Sequence, residues 1–77
     1  MDNKEINVAF GNFVREAREK QGLYQEAVAS RTGLSQSYYA RIERGERSCY
    51  FPTALHICEA LNVDINNFYE SLTKKTP

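Results

Sequence analysis

Gln36, Ser37, Arg41 and Arg44 fall on one side of a short segment whose other side carries Tyr39 and Ile42. An amide, a hydroxyl and two guanidinium forks set close together offer hydrogen-bond donors and acceptors along with positive charge. That is equipment for reading the polar edge of another molecule and for holding an anion. Between Arg31 and Arg47 the bases Arg31, Arg41, Arg44 and Arg47 are opposed only by Glu43 and Glu46, while Glu59, Asp64 and Glu70 lie towards the other end. The whole chain is neutral, with 10 Lys or Arg against 10 Asp or Glu, which taken alone argues against a polyanionic partner. The distribution nevertheless allows a local basic face. Bond-making constellations are missing: the sequence has no phosphate loop, no metal-ligand spacing and no nucleophile with a base. An enzyme, a metal and a cofactor are therefore not expected. Cys49 and Cys58 have the wrong number and spacing for zinc and read as inert thiols, Cys58 on the inner face of a helix. The lone His56 reads as a surface residue.

The elements that must position these groups are helices. With 77 residues, 42% of them hydrophobic and 26% charged, the chain has the composition of an ordinary soluble globular protein and the length of one domain, 1–77, with a core region of about 6–72. Ile6, Phe10, Phe13, Val14 and Ala17 recur at helical spacing and predict a first helix that ends near Gly22, with Leu23 folding back onto the stripe. Gln25 to Arg31 predicts a short second helix with Val28 and Ala29 inward, broken at Thr32 and Gly33. Ser35 is suited to cap a third helix running to about Arg44, where Gly45 ends it. Pro52 suits the first turn of a fourth helix, on which Leu55, Cys58 and Leu61 follow at helical spacing with Ile57 beside them. Asp64 predicts the cap of a fifth, through Phe68 and Leu72, and the tail from Thr73 to Pro77 is expected to fray. No strand pattern or repeat is present, so the fold class is all-α, a compact bundle of five short helices.

Within that bundle, QEAVASRTGLSQSYYARIERG gives two short helices joined by a tight turn with glycine, the pattern of a helix-turn-helix. Gly33 supplies a backbone conformation that costs other residues about 1 kcal/mol, and Ala29 is small where the two helices cross. The resulting angle lets the amino end of the third helix, about 35–44, enter a DNA major groove. The stretch GLYQEAVASRTGLSQSYYARIERGER, followed by ALHICEALNV, resembles the Cro and lambda-repressor-like helix-turn-helix domains of the XRE family from about Phe10 to Phe68. Members of this length include phage repressors and the controller proteins of restriction-modification systems.

The resemblance implies a transcriptional regulator and assigns roles. Gln25 would bond a backbone phosphate and support Gln36, which would read a base, its amide matching the adenine N6 and N7 edge. Ser35, Ser37 and Tyr38 belong to the same DNA-contact set, Ser37 and Tyr38 touching a neighbouring base or phosphate. Arg41 matches a base-contact position and its fork suits guanine. Arg44 and Arg47 would clamp phosphates, with ion pairing to Glu43 and Glu46 as the competing use of those side chains. Glu43 would pair with Arg18 and tie the first helix to the third. Tyr39 is expected in the core. Two departures stand out: Tyr24 replaces the usual Ser or Thr cap of the second helix, and an aromatic linker, Ser48 to Phe51, replaces a shorter proline-led connection.

One such module meets half a site, so a homodimer on near-palindromic double-stranded DNA is expected, with Ile65, Phe68, Tyr69 and Leu72 as its interface. A protein-interaction module on the same fold, or an antitoxin that also binds a toxin, is the competing reading. The first residues lack the apolar core of a signal peptide, and no apolar run approaches the roughly 20 residues that span a bilayer, so a cytoplasmic location without a membrane partner is expected.

Overall fold

Helix starts in this chain follow from its caps. The computed structural model describes residues 1–73, and the expectation for the end of the tail, 74–77, lies outside them. Asp2 and Glu5 form a reciprocal capping box, the Glu5 amide donating to Asp2 Oδ1 at 2.8 Å and the Asp2 amide to Glu5 Oε1 at 3.0 Å. The first helix, α1 (Asn3–Lys20), therefore begins ahead of the apolar stripe that starts at Ile6. It stops where the Leu23 amide folds back to the Arg18 carbonyl at 3.1 Å. Helix α2 (Gln25–Thr32) starts at Tyr24 with no side-chain cap, and ends at Gly33, whose φ of 72° lies in the left-handed region. Helix α3 (Gln36–Glu43) is capped by Ser35, whose Oγ accepts from the Tyr38 amide at 3.1 Å. Helix α4 (Phe51–Ala60) carries Pro52 in its first turn, where no amide is needed. Asp64 opens α5 (Ile65–Thr73), its Oδ1 accepting from the Asn66 amide at 2.9 Å. These are the five helices of the described residues, which contain no strand.

Their apolar stripes meet in one core of Phe10 and Val14 from α1, Val28 and Ala29 from α2, Tyr39 and Ile42 from α3, and Ala54, Ile57, Cys58 and Leu61 on and just after α4. Leu55, read from the sequence as an inward residue, is 40% exposed. At about 100° per residue, Ala54, Ile57, Cys58 and Leu61 make a tight stripe, and Leu55 sits well to its side. α1 crosses α3 with almost no gap at Gly11, where an added Cβ would overlap the carbonyl groups of Ile42 and Glu43. α5 docks on α1 through Phe68, whose ring meets Phe10 edge-on at 5.2 Å and Phe13 at 5.5 Å. The packing leaves α3 fastened along one side by α1 and α2, with its other side in solvent.

Candidate nucleic-acid interface

The α2–α3 turn has a local cause at every step. Gly33 reverses the chain, Leu34 donates its amide to the Ala29 carbonyl at 3.0 Å and packs against the core, and Ser35 caps the next helix. Tyr39 and Ile42 are then fully buried, which fixes the rotation of α3 about its axis. The same rotation leaves Gln36, Ser37 and Arg41 exposed, with Arg44 and Arg47 continuing the exposed row into the following loop.

Beneath that row lies a polar network. Arg18 donates from Nε to Glu43 Oε2 at 2.7 Å and from Nη2 to Oε1 at 3.0 Å, and its Nη1 bonds the Leu23 carbonyl at 2.8 Å. Gln25 Nε2 also donates to Glu43 Oε1, at 3.0 Å. Glu43, only 3% exposed, thus holds α1 and the first residue of α2 against α3. Burial alone would push its carboxyl up, but hydrogen bonds from Arg18 and then Gln25 outweigh that and hold it below the usual carboxylate range. Arg18 is raised in turn, chiefly by the same bond. The neighbouring Tyr39 hydroxyl is buried without a hydrogen-bond partner, and burial pushes its ionisation far above the ordinary tyrosine value.

The loop after α3 is tied down as well. The Arg47 guanidinium lies over the Tyr38 ring, 5.6 Å from its centroid, and the Tyr38 hydroxyl reaches the Ser48 carbonyl at 3.4 Å. Asn7 Nδ2 donates to Ser48 Oγ at 2.8 Å, joining the loop to α1. Arg44 is paired with Glu46 rather than with Glu43. Asn7 was not singled out in the sequence, since its partner lies 41 residues away and neither residue belongs to a motif. Gly11 did carry a signal, a glycine inside a strongly helical stripe, which points to a close helix crossing. Among the described residues there is no cluster of His, Cys, Asp and Glu that could hold a metal ion, and no helix is long and apolar enough to cross a membrane.

Residues 9–67 match the family model for the helix-turn-helix domain. The chain belongs to the helix-turn-helix domain family. Its type is that of the XRE-like DNA-binding transcriptional regulators. It is 46% identical over 52 residues to an HTH-type transcriptional regulator of Sinorhizobium fredii, y4dJ, the match covering 68% of this chain and 66% of the relative, just under two thirds of its length. Among solved structures it is similar to the restriction-modification controller protein C.AhdI from Aeromonas hydrophila, with a TM-score of 0.76 and 35% identity over 80% of this chain and 94% of that one. The controller protein C.Esp1396I gives a TM-score of 0.79 at 26% identity, over 90% of this chain and 91% of that one. C.Esp1396I is also known as a tetramer in complex with its natural 35 base-pair operator. In this helix-turn-helix protein α2 and α3 are the two helices of the motif, with Gly33 in the turn between them.

Proposed function

We propose that this helix-turn-helix protein binds a near-palindromic operator as a dimer and regulates transcription by occupying it, with α3 of each copy in the major groove. The observation that carries this reading is the one-sided burial of α3: Tyr39 and Ile42 are locked into the core while Gln36, Ser37 and Arg41 stand in solvent along the opposite side. Gln36 and Arg41 then read base edges, the amide towards adenine and the fork towards guanine. Ser37 touches a neighbouring base or phosphate. Ser35 caps α3 with its oxygen lone pair and keeps its hydroxyl hydrogen for a phosphate. Gln25 is aimed by Glu43 through one amide hydrogen and keeps its carbonyl and second hydrogen for Gln36 and a phosphate. Arg44 and Arg47 hold phosphates at the edge of the site, with Tyr38 beneath Arg47.

The dimer face is α5 with the aromatic start of α4. Ile65, Phe68 and Tyr69 line an open apolar groove of about 480 Å³, and Phe51 lines it from α4. Phe51 and Tyr69, which both line the groove, are 66% and 64% exposed, large apolar surface that a second copy would cover. Leu72 extends the face, while much of Phe68 is spent on α1.

Selection of bound duplexes from a random pool tests the reading, and a two-fold symmetric motif is expected. On the selected operator Arg41→Ala should relax preference at one position of each half-site and cost about 1–3 kcal/mol, whereas Arg44→Ala should weaken all sequences alike and flatten the salt dependence. Equal losses for both variants on operator and random DNA would reject these roles, and failure of any duplex to bind at low salt would reject DNA binding itself.

A further inference from the structure

Arg44 and Glu46 are joined by two side-by-side bonds on open surface, Nε to Oε2 at 2.9 Å and Nη2 to Oε1 at 3.1 Å. A carboxylate gripped side-on by Nε and Nη2 takes the place that two oxygens of a phosphate would take on that edge of the guanidinium. We propose that Glu46 occupies the phosphate site of Arg44 in the free protein and is displaced when DNA binds, so that it lowers affinity for every duplex by a common factor. The inference rests on the reading of Arg44 as a phosphate contact.

The backbone places Glu46 there. α3 ends in a closure in which the Gly45 amide bonds the Ile42 carbonyl at 3.0 Å and the Glu46 amide bonds the Arg41 carbonyl at 2.9 Å. Gly45 has a φ of 75°, and a Cβ there would come within 2.6 Å of Val8 Cγ2 and 2.8 Å of Val8 Cα. The reversal is thus held from inside by hydrogen bonds and from outside by α1. Glu46 starts from a fixed backbone point next to Arg44, so that pairing orders its side chain but not its main chain. Its carboxyl is held below the usual range, first by the hydrogen bonds from Arg44 and also by the charges of Arg44 and Arg41, so it is anionic at neutral pH.

Both side chains are 55% exposed, and such pairs are weak, so a phosphate displaces the carboxylate readily. The expected effect is correspondingly a small factor rather than an on-off switch. Because a phosphate contact carries no sequence information, the displacement scales all sequences equally and leaves the ratio between operator and random DNA unchanged.

A double-mutant cycle tests this: the unmodified protein, Glu46→Gln, Arg44→Ala and the double variant are titrated with a mixed-sequence duplex of about 20 base pairs at one salt concentration. Glu46→Gln should bind about three-fold tighter when Arg44 is present, with the gain gone in the Arg44→Ala background. The same gain in both backgrounds would mean general repulsion between Glu46 and DNA, which overturns the displacement while leaving the phosphate contact in place. No gain from Glu46→Gln also overturns it. Undiminished binding by Arg44→Ala overturns both the displacement and the reading of Arg44 beneath it.

Discussion

Glu43 is the buried charge on which three helices converge, its carboxylate accepting from both Arg18 and Gln25. Removing it leaves the Arg18 guanidinium without its buried partner, and Glu43→Ala should destabilise the fold by about 3 kcal/mol, read by urea unfolding. The same carboxyl is held below its ordinary value in the folded chain, so on acidification the unfolded chain takes up this proton first. Stability from Glu43 is complete above the ordinary carboxylate range and drains away as pH falls into that range and on through the lower folded value. A plot of Tm against pH should therefore fall more steeply for the unmodified chain than for Glu43→Gln, and parallel curves would show that the carboxylate contributes no pH-dependent stability. Arg18 at this position was legible from the family resemblance, but the bond to Gln25 was not. It couples an expected phosphate ligand to the buried pair, and only the crossing of α1, α2 and α3 brings the three side chains together.

At the level of elements, starts and stops of helices were the most legible part of the chain. Ser35, Asp64, Gly33 and Gly45 act through neighbours within a few residues, so their effect is written locally. The apolar stripe from Ile6 does not by itself mark the start of α1, which the Asp2–Glu5 box sets at Asn3. α2 is the weak start: Tyr24 is 81% exposed and makes no capping bond. Its φ of −84° and ψ of 158° already suit a capping residue, so Tyr24→Thr should raise stability by about 1 kcal/mol, seen as an upward shift in Tm. No gain would mean that the Tyr24 ring contributes as much as the missing cap. Gly11 works in the opposite sense. Since α1 and α3 approach through the Ile42 and Glu43 carbonyls, which cannot swing aside as a side chain does, Gly11→Ala should cost about 3 kcal/mol despite the better helix propensity of alanine. A stabilised Gly11→Ala variant would show that the two helices can part without loss.

For the whole molecule, the proposed pairing follows from the number of motifs. The described residues carry one helix-turn-helix, α2 with α3, whereas the two half-sites of the proposed operator lie roughly 34 Å apart from centre to centre. In that reading each copy supplies one α3 to one half-site. Tyr69 is the sharpest probe of the pairing face, because it is 64% exposed and its loss leaves the Phe10, Phe13 and Phe68 cluster intact. Tyr69→Glu should keep the helical content of the unmodified chain, sediment as a monomer, and lose most of its operator affinity. A variant that still sediments as a dimer would move the interface elsewhere.

Helical class, the order of five helices and the turn that makes the motif were all determined by the amino-acid sequence alone, because capping, periodicity and left-handed turns act over three to five residues. Tertiary structure decided the rest: that Leu55 turns outward, that Asn7 reaches Ser48 and that Glu43 aims Gln25. Each of these depends on how far one helix is rotated and how closely it lies against another. That quantity is set by the fit of a shared core, which no single segment contains.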